Sequence, residues 1–143
     1  MYFAAFPLLA LPVLVYNLVT FATRADSMQA VSQLQGRVFA IPMTSGGVWD
    51  VTLGDLLIAA SLVILFIELL KSTTSRRIAI INHALSLLLF IVCLVEFLLL
   101  RGFSTSIFFL ITLMVLLDVL AGFIVTIIAA RRDIGLMGPD ADG

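Results

Sequence analysis

Four long apolar runs divide the chain, at approximately 3–21, 51–70, 78–100 and 107–130. About 20 apolar residues rising 1.5 Å each cross the ~30 Å hydrocarbon layer, so each run predicts a membrane-spanning helix. Pro7 and Pro12 remove two backbone donors from the first run and should bend it, which neighbouring helices in a membrane tolerate. That run has no basic leading segment and no clear small-residue cleavage site, so it reads as a retained helix rather than a signal peptide. In the second run Asp55 confines the uncharged part to 56–67. No internal repeat is visible.

The one sizeable polar stretch, 22–50, forms a loop between the first two spans. Within it Phe39, Ile41 and Met43 alternate ahead of Thr44-Ser45-Gly46-Gly47, and Val48-Trp49-Asp50-Val51 follows. This is the pattern of a small hairpin, with Pro42 restricting its first strand to an edge. An irregular loop lying on the membrane, with Trp49 at the headgroup level, fits the same residues. The end of the chain, 133–143, has Gly, Pro and Asp and no apolar periodicity, and reads as a flexible tail.

Polar positions inside the runs are where chemistry could reside. Gly54, Ser61 and Glu68 recur every seven residues, and Asn82, Ser86, Cys93 and Glu96 follow at four, seven and three, so each set shares one helix face. Such faces mark helix–helix contacts in membranes, because small residues let backbones approach and polar ones bond across. Glu68 and the pair Asn82 and His83 flank the short connection 71–77 and should reach similar depth. They predict either a Glu68–His83 or Glu68–Asn82 clasp, with Lys71 snorkelling to lipid phosphate, or a proton gate built on a residue that titrates near neutral pH. Glu96 lies near the other end of its helix, within reach of a back-folded Arg101, and reads as structural.

Asp118 lies in the middle of the fourth run. An ionised carboxylate there costs on the order of 2.5–3.5 kcal/mol even on the lenient insertion scale. At its depth the chain offers the hydroxyls of Ser61 and Thr112 and no cationic side chain. It must therefore be protonated, bound to a hydroxyl, or turned toward a partner subunit or a cation. Ala121 and Gly122, just beyond it, provide a small surface for close helix approach.

Composition narrows the classes. Apolar residues make up 62% of the 143 and charged residues only 12%, against roughly 45–50% and 25% in soluble domains. A net charge of −1 leaves no basic face for nucleic acid. One cysteine, Cys93, and one histidine exclude an intrachain disulfide, a paired-thiol redox site and bis-histidine haem ligation. No Gly-rich phosphate loop, nucleophile elbow or zinc-protease helix occurs, the fourth run lacks the regularly spaced arginines of a voltage sensor, and a metal site would need unusual ligands. The eight Lys and Arg divide five to three, with Lys71, Arg76, Arg77, Arg131 and Arg132 opposite Arg24, Arg37 and Arg101. The positive-inside rule then puts both termini in the cytoplasm.

The stretches Ser45-Gly46-Gly47-Val48-Trp49, Gly54-Asp55-Leu56-Leu57, Glu68-Leu69-Leu70-Lys71, Asn82-His83-Ala84-Leu85-Ser86, Asp118-Val119-Leu120-Ala121-Gly122-Phe123 and Arg131-Arg132-Asp133 resemble small uncharacterised four-helix inner-membrane proteins of alphaproteobacteria. The resemblance implies a bacterial inner-membrane setting and carries over no activity or site residue.

The expectation is thus an all-α integral membrane protein. A single domain over 1–143 forms a four-transmembrane-helix bundle, N-in and C-in, with the loop 22–50 outside. The expected role is an accessory or scaffold subunit of a larger inner-membrane assembly, with no enzymatic activity and no cofactor. Its partners are the lipid bilayer and other integral membrane subunits or further copies of itself. The alternative is a proton- or cation-conducting homo-oligomer that uses Asp118, with Glu68 and His83 at the inner mouth.

Overall fold

The computed structural model describes residues 6–22, 27–71 and 76–135. In chain order these form helix α1 (Ala10–Ala22), helix α2 (Ser27–Leu34), strands β1 (Arg37–Pro42) and β2 (Val48–Thr52), helix α3 (Leu53–Lys71), helix α4 (Arg76–Leu99), a 3-10 turn (Arg101–Phe103) and helix α5 (Ser106–Gly135). Three stretches are long and apolar enough to cross a membrane: Leu53–Lys71, Ile80–Leu99 and Ser106–Ile128. The expected tail overlaps the end of α5, and 136–143 lie outside the described residues.

Where four spans are expected, the fourth apolar helix is shorter. At 13 residues α1 rises only about 20 Å. The prolines explain its start. Pro7 and Leu8 carbonyls accept from Ala10 and Leu11 at 3.1 and 3.0 Å in a tight turn, and Leu9 is the first carbonyl to accept from a residue four ahead, Val13. Pro12 therefore stands in the first helical turn, where a backbone N–H has no intrahelical acceptor to lose. It begins a helix instead of bending one.

Asp55 has a similarly local explanation. Its carboxylate accepts from the Thr52 backbone N–H at 2.9 Å and from the Thr52 hydroxyl at 2.7 Å, while the Thr52 hydroxyl accepts from the Asp55 N–H at 3.1 Å. This reciprocal capping box marks where α3 begins. The loop before it is more ordered than expected. It contains α2 as well as an antiparallel hairpin, in which Ile41 pairs with Trp49 and Phe39 with Val51. Of the two readings of 37–51, the structure has the hairpin. Its turn closes through Met43 N–H to Gly47 O at 2.8 Å, with Gly46 at φ 85°, a conformation that favours glycine.

α5 is the central helix, burying 44% of its span against 22% for α3 and α4. Its Phe108, Ile111, Met114 and Val115 pack with Val13 and Tyr16 of α1, Leu65 of α3 and Cys93 of α4. The remaining faces of α3 and α4 turn Leu62, Val63, Phe66, Leu88 and Val92 outward, as helices bathed in lipid do.

Candidate functional site

Buried polar side chains gather at two ends of the bundle. At the end near the hairpin, the Tyr16 ring packs against Phe103 and Phe108 with centroids 5.5 and 4.7 Å away. Its hydroxyl donates to Gly102 O at 3.0 Å and shares a 2.6 Å hydrogen bond with the Thr105 hydroxyl. These contacts tie α1 to the turn that opens α5. Nearby Asn17 donates to Val13 O at 3.0 Å and to Glu96 at 3.3 Å. Glu96 thus meets Asn17 rather than Arg101. Tyr16 and Asn17 were legible as polar breaks in the first apolar run, though the sequence stripes left them out.

At the opposite end, Glu68 is fully buried and is the hub of a network. One carboxylate oxygen accepts from the Leu8 backbone N–H at 2.8 Å. The other accepts from Asn82 Nδ2 at 2.5 Å and from Lys71 Nζ at 3.2 Å. Lys71 also donates to Phe6 O at 2.7 Å and to Asn82 Oδ1 at 3.2 Å. Instead of snorkelling to phosphate, Lys71 folds inward. The turn before α1 has unpaired N–H and C=O groups, and in a membrane such groups must find partners inside the protein. Glu68 and Lys71 supply them, joining α1, α3 and α4.

Asn82 belongs to this clasp and His83 does not. Successive helix residues are rotated by about 100°, so only one of the pair can face α3. His83 turns toward α5, where its ring occupies the space above Gly122. A side chain on Gly122 would overlap the His83 ring atoms Cγ, Nδ1 and Cδ2. His83 is 9% exposed, and among the described residues neither ring nitrogen has a hydrogen-bond partner. It also lines an apolar groove of about 290 Å³ between α4 and α5, beside Ala84, Leu87 and Phe123.

Asp118, fully buried, points into the bundle. Its Oδ2 accepts from the Ser86 hydroxyl at 2.5 Å, and its Oδ1 has no partner among the described residues. The hydroxyls anticipated for it are used locally, Ser61 on Leu57 O at 2.7 Å and Thr112 on Phe108 O at 2.9 Å. Ser86, expected as a packing residue, is the one that meets it.

Gly54, Ser61, Ser86 and Gly122 are all buried within the chain, and Ala121 is half-buried. Gly54 lies against Ile107 and the Leu34 carbonyl. Among the described residues no three His, Cys, Asp or Glu side chains converge as a metal site. The arrangement defines a membrane protein with a charged, partly unpaired polar site at one end. Comparison with known proteins finds no matching family model, curated protein or solved structure.

Proposed function

We propose that the chain is an accessory or scaffold subunit of a larger bacterial inner-membrane assembly, without a reaction of its own and with the Glu68 end in the cytoplasm. One observation carries the reading. The two polar ends are separated by a layer of Leu65, Cys93, Ile111, Met114 and Val115, and the Ser61 and Thr112 hydroxyls are bonded back to their own helices. Glu68 and Lys71 bind each other and the backbone before α1 on one side of that apolar layer, which supports a role in holding helices together. Gly54, Ser86 and Gly122 are already covered inside the chain, so a partner would meet the outward apolar faces of α3 and α4. The bacterial setting rests on the sequence resemblance.

Purification from native membranes in mild detergent is expected to yield a second integral membrane polypeptide in fixed stoichiometry. A photo-crosslinking residue at Leu88 should join that same polypeptide. A chain that elutes alone and crosslinks only to lipid would refute the role. For orientation, cysteines replacing Ser45 and Arg131 in a Cys93→Ser background should label from outside and inside respectively; the reverse pattern inverts the topology.

A second reading, a proton- or cation-conducting homo-oligomer, is favoured by the buried Asp118 Oδ1 and His83 ring nitrogens, which have no hydrogen-bond partner among the described residues. Buried polar atoms without partners are uncommon and call for an explanation. Asparagine at 118 keeps the size but cannot carry a proton. A liposome flux that Asp118→Asn abolishes at unchanged oligomeric state would put this reading in place of the first.

A further inference from the structure

The hairpin has one apolar face that begins inside the protein and runs out of it. Residues two apart on a strand share a face, and directly paired residues lie on the same side. Phe39, Ile41, Trp49 and Val51 therefore stand together. Val51, at the root, is 3% exposed, whereas Phe39, Ile41 and Trp49 are 45%, 36% and 49% exposed. The opposite face carries Ala40 paired with Asp50 and Pro42 paired with Val48, without an aromatic side chain, and the Asp50 carboxylate accepts from Arg37 at 3.2 Å. The ribbon's two charges thus cancel. A lone two-stranded hairpin is marginal in water, and aromatic and aliphatic side chains half exposed on it call for cover.

The position of the ribbon identifies that cover. β2 ends at Thr52 and α3 starts at Leu53, with the Thr52–Asp55 capping box leaving no slack between them. The first turns of α3 already hold Leu53 and Leu56 outward, where the lipid-facing surface of a span begins. The apolar ribbon face is the continuation of that surface. We infer that the hairpin lies on the leaflet at its end of the bundle, with Phe39, Ile41 and Trp49 at the boundary of headgroups and acyl chains, and so sets the depth at which α3 enters the bilayer. Trp and neighbouring apolar side chains favour that level. With Arg37 and Asp50 paired, the ribbon has no net charge with which to select anionic lipid.

Trp49 is the only tryptophan in the chain, so its fluorescence reports this face alone. The full chain is reconstituted in phosphatidylcholine vesicles, with and without phosphatidylglycerol. The expected result is blue-shifted emission and quenching by lipids brominated near the headgroup more than by lipids brominated deep in the chain. Iodide, present on both sides, should quench several-fold less than it quenches free tryptophan, and all three readings should be the same in both lipid mixtures. Ile41→Ser, an exposed change that leaves Val51 in place, should raise iodide quenching, and Asp50→Asn should not. Free access of iodide with no bromolipid quenching overturns the inference. Protection from both quenchers also overturns it, in favour of cover by another polypeptide, and dependence on phosphatidylglycerol overturns the apolar basis.

Discussion

The two ends of the bundle solve the same problem differently. At the hairpin end, Tyr16, Gly102 and Thr105 join α1 to α5 through neutral hydrogen bonds inside an aromatic cluster. At the Glu68 end, the same helix is held by an ion pair and an amide. On α4 and α5, His83 and Asp118 retain polar atoms with no partner among the described residues. Neutral, satisfied contacts are sufficient for architecture. The Glu68 end carries a fully buried ion pair, whereas the carboxylate at the hairpin end, Glu96, is half-buried and held by the neutral amide of Asn17.

The contrast is broken most strongly at Lys71. Lys71→Met leaves Glu68 buried without its cation and should cost about 3–5 kcal/mol, read as a large loss of stability to denaturant in detergent. Glu68→Met combined with Lys71→Met should recover much of it, because a buried pair replaced by apolar residues is often neutral. If the single change is harmless, the network is not what holds α1 in place.

Gly122→Leu comes next. It drives a side chain into the His83 ring and should cost about 1–3 kcal/mol, as overpacking does. The loss should be present in the isolated chain. Stability unchanged there, with only assembly lost, would instead make Gly122 a contact between subunits. At the hairpin end, Tyr16→Phe deletes a hydroxyl that holds two partners and should cost about 0.5–1.5 kcal/mol. A cost as large as that of Lys71→Met would erase the difference between the ends. The smallest effect belongs to Asp118→Asn. The amide can still accept from Ser86, so that hydrogen bond is kept and thermal stability should fall less than in any of the other variants.

Much of the fold was legible because it depends on short-range pattern. The three full spans follow from apolar run length, and the hairpin from Phe39, Ile41 and Met43 alternating into a glycine-containing turn. Asp55 was visible as a charge at the start of a span, and Thr52 three residues earlier is its capping partner. α2 was not read, because its eight residues lie in a stretch assigned to a loop. The start of α1 was missed for a different reason. Pro12 is compatible with either a bent span or a first turn, and the choice depends on whether the preceding turn finds partners elsewhere. It does, in Glu68 and Lys71, some sixty residues away.

What the sequence determined by itself is therefore the local part of the fold: the three runs long and apolar enough to cross, the Thr52 and Asp55 that open α3, the glycine that permits the hairpin to turn, and the approximate depth of each polar residue. Depth follows from the fixed rise per residue. Rotation of one helix against another does not, because it emerges from packing all the faces at once. Only the tertiary structure decided that Asn82 and not His83 meets Glu68, that Lys71 turns inward to the open backbone before α1, and that Asp118 finds Ser86 on α4 rather than Ser61 or Thr112. The choice between Asn82 and His83 is between residues of nearly equal depth, and only the relative rotation of α3, α4 and α5 separates them.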